Sequence, residues 1–119
     1  MEEIIIERDG LKNLKFKGKE LASASGRWVA NQKQDRWTEI AVYETESGKY
    51  VVTRNHYTLW QGEENSYSAE VCETPEAVIA ELVNDDPYTE YTLSDLAKKV
   101  LNELAEQNDI FQKFQFEEI

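Results

Sequence analysis

Up to Cys72 the apolar residues of this 119-residue chain recur mostly at every second position, and from Thr74 onward they recur at helical spacing. A period of two places alternate side chains on opposite faces of a sheet, whereas a period near 3.6 draws a stripe along a helix. A chain that makes this switch once, in that order, builds a sheet first and lays helices on it afterwards. The expected fold class is therefore α+β, an antiparallel β-meander sheet followed by two C-terminal helices packed on one face. The boundaries expected are residues 3–72 for the sheet, 75–83 and 93–107 for the helices, and 110–119 for an apolar tail. The length supports one core, so residues 1–119 read as a single domain.

The local signals are uneven. Glu3–Arg8 reads as a strand closed by the turn pair Asp9-Gly10. Leu14, Phe16 and Gly18 alternate with Lys15, Lys17 and Lys19, which predicts a half-solvated strand with its lysines outward. Leu21–Gln34 is small and polar, and reads as a loop or a strand end. The clearest element is a hairpin, Arg36–Thr45 and Lys49–Thr58, rich in aromatic and β-branched residues on both sides of Glu46-Ser47-Gly48. A turn centred on Ser47-Gly48 sets Tyr43 opposite Val52, Glu39 opposite His56, and Ala41 opposite Arg54. The loop Gln61–Asn65 then leads to a strand, Tyr67–Cys72.

Thr74 followed by Pro75 is the signature of a helix start, and Asn84-Asp85-Asp86-Pro87 that of a stop. Thr92 with Asp95 three positions on resembles a capping box. Leu93, Leu96, Ala97, Val100, Leu101, Leu104 and Ala105 form one stripe of the second helix. The tail carries Phe111, Phe114 and Phe116, either on a returning strand or on a further helical turn. Those rings are expected to pack on the domain's own core, with docking onto a partner or a twin subunit as the alternative.

Charge is divided unevenly. The net charge is −11, yet residues 60–119 hold only three of the 13 basic residues and fifteen of the 24 acidic ones. Between Arg54 and Lys98 there is no lysine or arginine. That window holds Glu63, Glu64, Glu70, Glu73, Glu76, Glu81, Asp85, Asp86 and Glu90, the candidate partner-binding residues. Residues 11–36, by contrast, carry Lys12, Lys15, Lys17, Lys19, Arg27, Lys33 and Arg36 against two acids. The acidic stretch is either a solvated face that maintains solubility or a carboxylate array shaped for a cationic groove. Direct nucleic-acid binding through the lysines around Phe16 is opposed by the charge of the rest of the chain.

Chemistry is sparse. One cysteine and one histidine exclude a disulfide framework and a Cys- or His-rich metal site. Cys72 with His56 is the only nucleophile–base combination, and nothing in their spacing joins them. Carboxylate pairs such as Glu63-Glu64 and Asp85-Asp86 arise by chance in so acidic a chain, and no phosphate loop, serine elbow or dinucleotide fingerprint occurs. No catalytic, metal or cofactor residue is assigned. The longest uninterrupted apolar run is Ile4-Ile5-Ile6, and Met1-Glu2-Glu3 starts no basic leader. The expectation is a cytoplasmic chain with no membrane partner.

The series Leu14-x-Phe16-x-Gly18-x-x-Leu21-Ala22, Arg36-Trp37-Thr38-Glu39, Tyr43-x-Thr45-x-x-Gly48-x-Tyr50-Val51-Val52 and Trp60-Gln61-Gly62-Glu63 resembles the small bacterial EXLDI proteins. They are named for a Glu-x-Leu-Asp-Ile motif near the C-terminus, to which Glu106-Gln107-Asn108-Asp109-Ile110 is similar, with Asn in place of Leu. The resemblance spans most of residues 11–110 and brings no activity, cofactor or functional residue with it. Asp109-Ile110 is expected to be a helix end whose isoleucine packs back on the core.

Two functions fit these features. One is a non-catalytic acidic interaction module, in its sharp form an anti-CRISPR or anti-restriction type inhibitor. Such a protein mimics nucleic acid and fills the basic groove of a DNA- or RNA-handling complex. The alternative is a small-ligand binding domain, or a modest enzyme, using the aromatic sheet with Trp28, Trp37, Trp60 and His56. A homodimer is compatible with either.

Overall fold

The computed structural model describes residues 1–83 and 93–119. Seven strands precede the helices: β1 (Glu2–Ile6), β2 (Leu14–Ser25), β3 (Trp28–Val29), β4 (Gln32–Lys33), β5 (Arg36–Thr45), β6 (Tyr50–Thr58) and β7 (Ser66–Cys72). Helices α1 (Pro75–Leu82) and α2 (Asp95–Gln107) follow, and a 3-10 helix, Asp109–Phe114, ends the ordered elements. The main sheet is an antiparallel meander in the order β1-β2-β5-β6-β7, interrupted only by the small β3–β4 ribbon. The α+β architecture follows from the single change of period.

Two details of the long strands differ from the sequence expectation. First, β2 continues through Leu21 to Ser25, into the segment expected as a loop or a strand end. Its register shifts between Glu20 and Ala22, where the bulge turns Leu21 and Ala22 into the helix-side core. Second, the β5–β6 hairpin is one residue out of the expected register: Val42 pairs with Val52, Tyr43 with Val51, Ile40 with Arg54, and Thr38 with His56. The loop has three residues rather than two. Gly48 adopts φ +88°, its N–H donates to the Thr45 carbonyl (3.0 Å), and the Lys49 N–H donates to Thr45 Oγ1 (3.0 Å). A type I turn closed by a left-handed glycine is the usual three-residue solution. Glu39 therefore faces Asn55 and Ala41 faces Thr53, so neither expected pairing, Glu39 with His56 or Ala41 with Arg54, forms.

Both helices start on hydroxyl caps. Thr74 Oγ1 accepts from the Ala77 N–H and Ser94 Oγ from the Ala97 N–H, each at 3.1 Å. The cap of α2 is thus Ser94; the Asn84–Pro87 stop and Thr92 lie outside the described residues. The two helices cover one face of the sheet. Val78, Ile79, Leu82, Val100, Leu101 and Leu104 pack with Leu21, Ala22, Ile40, Val42, Val52 and Cys72. Phe111 completes this core at 0 % exposure, edge-on to Tyr50 with centroids 5.6 Å apart. Ile110, expected inside, is 46 % exposed, because the 3-10 turn presents Phe111 to the core instead.

The opposite face is the inside of a curl. Asp9, just past β1, reaches the far edge strand: its N–H donates to the Tyr67 carbonyl and its Oδ2 accepts from the Tyr67 N–H, both 2.9 Å. No described helix packs there, yet Val51, Thr53 and Ala69 are buried. A run of rings lines this face. Phe16 meets Tyr43 edge-on, Trp37 stacks on Tyr57 at 5.4 Å, and Tyr57 meets Tyr67 edge-on at 6.0 Å.

Candidate functional site

The nine carboxylates singled out by sequence fall into three groups. Asp85, Asp86 and Glu90 lie outside the described residues. Glu70, Glu73, Glu76 and Glu81 follow one flank: Glu70 on β7, Glu73 in the turn after it, Glu76 in the first turn of α1 and Glu81 near its end. Glu63 and Glu64 belong to the β6–β7 loop, at the opposite end of β7. All six are exposed.

The flank carries its own counterions. Glu73 is 3.2 Å from Lys49, and Glu76 is 3.0 Å from Lys113. The Glu76 carboxyl is held below the usual carboxylate range, first by its hydrogen bond with its own backbone N–H at the helix start and then by Lys113. Both ion pairs are exposed, so each contributes little net stability and exchanges readily. The lysines of β2 stand on the other side of β5 and β6. Three strand spacings, about 14 Å along the sheet, separate that basic strand from the acidic edge. The sequence asymmetry thus becomes a charge polarity across the sheet.

Glu63 takes no part in the flank. It turns inward to Arg36, whose Nε donates to Glu63 Oε1 at 2.9 Å, and Thr58 Oγ1 donates to the same oxygen at 2.6 Å. The Arg36 guanidinium lies 4.2 Å above the Trp60 ring. Arg36 and Glu63 are 27 residues apart, so no local sequence signal announces the clamp. It borders an open depression of about 580 Å³ with Trp37, Thr38, His56 and Tyr57. The Glu63 carboxyl is held below its ordinary value by the Arg36 hydrogen bond and then by that from Thr58. A depressed folded-state pKa means that the clamp is complete above the ordinary glutamate range and is lost as pH falls through the lower, folded value. In an NMR pH titration Glu63 is expected to protonate below the ordinary glutamate range. Arg36→Gln is expected to raise it toward that range, and an unchanged Glu63 titration in that variant would contradict the clamp.

His56 contacts a hydroxyl rather than an acid: its Nδ1 is 2.7 Å from Thr38 Oγ1. Glu39, its expected neighbour, is on the other face and accepts from Trp37 Nε1 at 2.8 Å. Cys72 pairs with Tyr50, six residues along β6 from His56, a separation of about 20 Å at strand rise. The two cannot act as a dyad. The thiol is pushed up to about 11, chiefly by burial and further by Glu81 and Glu70, which leaves it protonated and inert at neutral pH. No group of three or more His, Cys, Asp or Glu among the described residues is arranged to hold a metal ion. No described helix is long and apolar enough to cross a membrane.

Trp28 and Trp60 are 63 % and 54 % exposed, so two of the three tryptophans stand outside both cores. Trp37 is half-buried, covered by the Arg27 guanidinium at 4.2 Å. No protein-family model, curated protein or solved structure matches the chain.

Proposed function

We propose that the protein is a non-catalytic interaction module whose acidic β7–α1 flank binds a cationic surface on a partner protein. Its sharper form is a nucleic-acid mimic that occupies the basic groove of a DNA- or RNA-handling complex. The observation that carries this is the placement of Glu70, Glu73, Glu76 and Glu81 along one edge, with the lysine strand on the far side of the sheet. The counterions of Glu73 and Glu76 are exposed lysines on flexible stems, which a denser basic surface displaces at small cost. Such contacts steer association and weaken as salt screens them.

The test is capture of partners by the tagged protein, eluted with a salt gradient, followed by the triple variant Glu70→Lys, Glu73→Lys, Glu76→Lys. A basic partner that elutes at moderate salt is expected, with affinity for the triple variant reduced about a hundredfold or more. The variant's thermal unfolding should move little, because all three positions are exposed. Binding that survives both high salt and charge reversal would exclude the acidic flank.

A small-molecule ligand in the 580 Å³ depression is the second reading, supported by the stacked Trp37–Tyr57 pair beside His56. It requires a metabolite that quenches tryptophan fluorescence in the wild type and not in Trp37→Leu. Its binding would be indifferent to the flank charge reversal.

A further inference from the structure

Strand β7 is the open edge of the sheet. Tyr67 directs both its N–H and its carbonyl away from β6, onto Asp9. Outward-pointing pairs recur at every second residue of an antiparallel strand, so Ala69 and Val71 also direct their N–H and C=O groups outward. Among the described residues no strand lies beyond β7.

Natural sheets blunt such an edge with a lysine, a proline, a bulge or a very short strand. The other edge, β1, has five residues, three of them exposed. Strand β7 has seven, pairs with β6 in unbroken register, and contains no lysine and no proline. Val71 is 46 % exposed on the inner face of the curl, and Glu70 points to the helix side.

We propose that β7 receives an extended segment of a partner protein as an added strand, and that this segment alternates basic with apolar residues. Backbone pairing to Ala69 and Val71 supplies the register. The basic side chains fall beside Glu70 on the helix side, and the apolar ones beside Val71 on the inner face. A second copy of this chain fits poorly. Two β7 edges would oppose their own Glu70 side chains, and β1 would bring Glu2 and Glu3 to the same place. This deepens the acidic-flank proposal and rests on it.

The probes are two synthetic peptides of equal composition, one alternating lysine and valine, the other carrying the lysines and valines in separate blocks. The alternating peptide is expected to bind about tenfold tighter or more, since only it can pair and present both faces. Amide hydrogen exchange of the wild type should slow at Ala69 and Val71 when it binds. Val71→Pro removes an outward N–H while leaving the β6 ladder intact, a placement on an edge strand that tolerates proline. It is expected to abolish the preference for the alternating peptide.

Equal binding of both peptides, weakened alike by Glu70→Lys, would overturn strand addition and leave the acidic flank standing as a surface of charge alone. Absence of binding to either peptide, or unchanged exchange at Ala69 and Val71, would overturn it as well. Binding of the alternating peptide that survives Glu70→Lys but not Val71→Pro would keep the edge and remove the electrostatic reading.

Discussion

Phe111→Ala is expected to be the most damaging single truncation, lowering stability by about 3–5 kcal/mol, whereas Phe116→Ala is expected to change it by less than about 0.5 kcal/mol. Phe111 is fully buried and edge-on to Tyr50, in the layer between the sheet and α2. Truncation would leave a ring-sized void bordered by the sheet and two turns of chain, and rigid strands collapse into a void poorly. Phe116 is 76 % exposed and has no core to lose. Urea unfolding followed by tryptophan fluorescence would read both. A chain of this size unfolds near two-state, so a loss of that order should shift the midpoint strongly without altering the slope. Equal, small effects of the two substitutions would mean that the tail does not belong to the core. It would then become a candidate for docking onto a second subunit.

The order of elements was legible because it depends on periodicity, which a sequence carries explicitly. The α1 start was legible for the same reason: Thr74 and Pro75 are local, and the cap forms from atoms three residues apart. Register was not. Both a two-residue turn at Ser47-Gly48 and a three-residue turn from Glu46 use the same glycine, and the choice falls to Thr45, whose hydroxyl captures the Lys49 N–H. That one-residue difference places Thr38, not Glu39, beside His56. The β3–β4 ribbon was equally hidden. Its turn residues are Ala30 and Asn31, held at φ 49° and 65°, where glycine or Asn-Gly would have given a signal.

The candidate flank was legible as a stretch lacking basic residues, but its composition was not. Glu63 belongs to that stretch and is withdrawn from it by Arg36 and Thr58, a pairing set by how β5 and β6 end together. Conversely, nothing in the charge pattern marks β7 as a bare edge. That property depends on the strand order, and on Asp9 covering Tyr67 and stopping there. On the proposed reading, charge in the sequence points to a cationic partner, and the sheet topology to where it would be met.

Gly18→Ala is expected to cost about 1–3 kcal/mol, toward the upper end, because the obstacle is backbone rather than a movable side chain. Gly18 is buried where β2 pairs with Thr45 beside the hairpin turn, and a methyl group there would collide with the Glu44 carbonyl and press on the Phe16 ring. Relief requires β2 and β5 to part locally, which loosens the Phe16–Tyr43 contact on the inner face. Gly48→Ala offers the contrast. Nothing lies within 4 Å of a methyl group at that site, and the strain comes wholly from φ +88°, worth about 1–2 kcal/mol for a residue bearing a side chain. Asparagine separates the two causes, since it tolerates left-handed backbone but is larger than alanine. Gly48→Asn should recover most of the loss seen in Gly48→Ala, while Gly18→Asn should be worse than Gly18→Ala. Thermal unfolding of the four variants would show the reversal. If asparagine rescued position 18, the close approach of β2 to Glu44 would not be the reason for a glycine there.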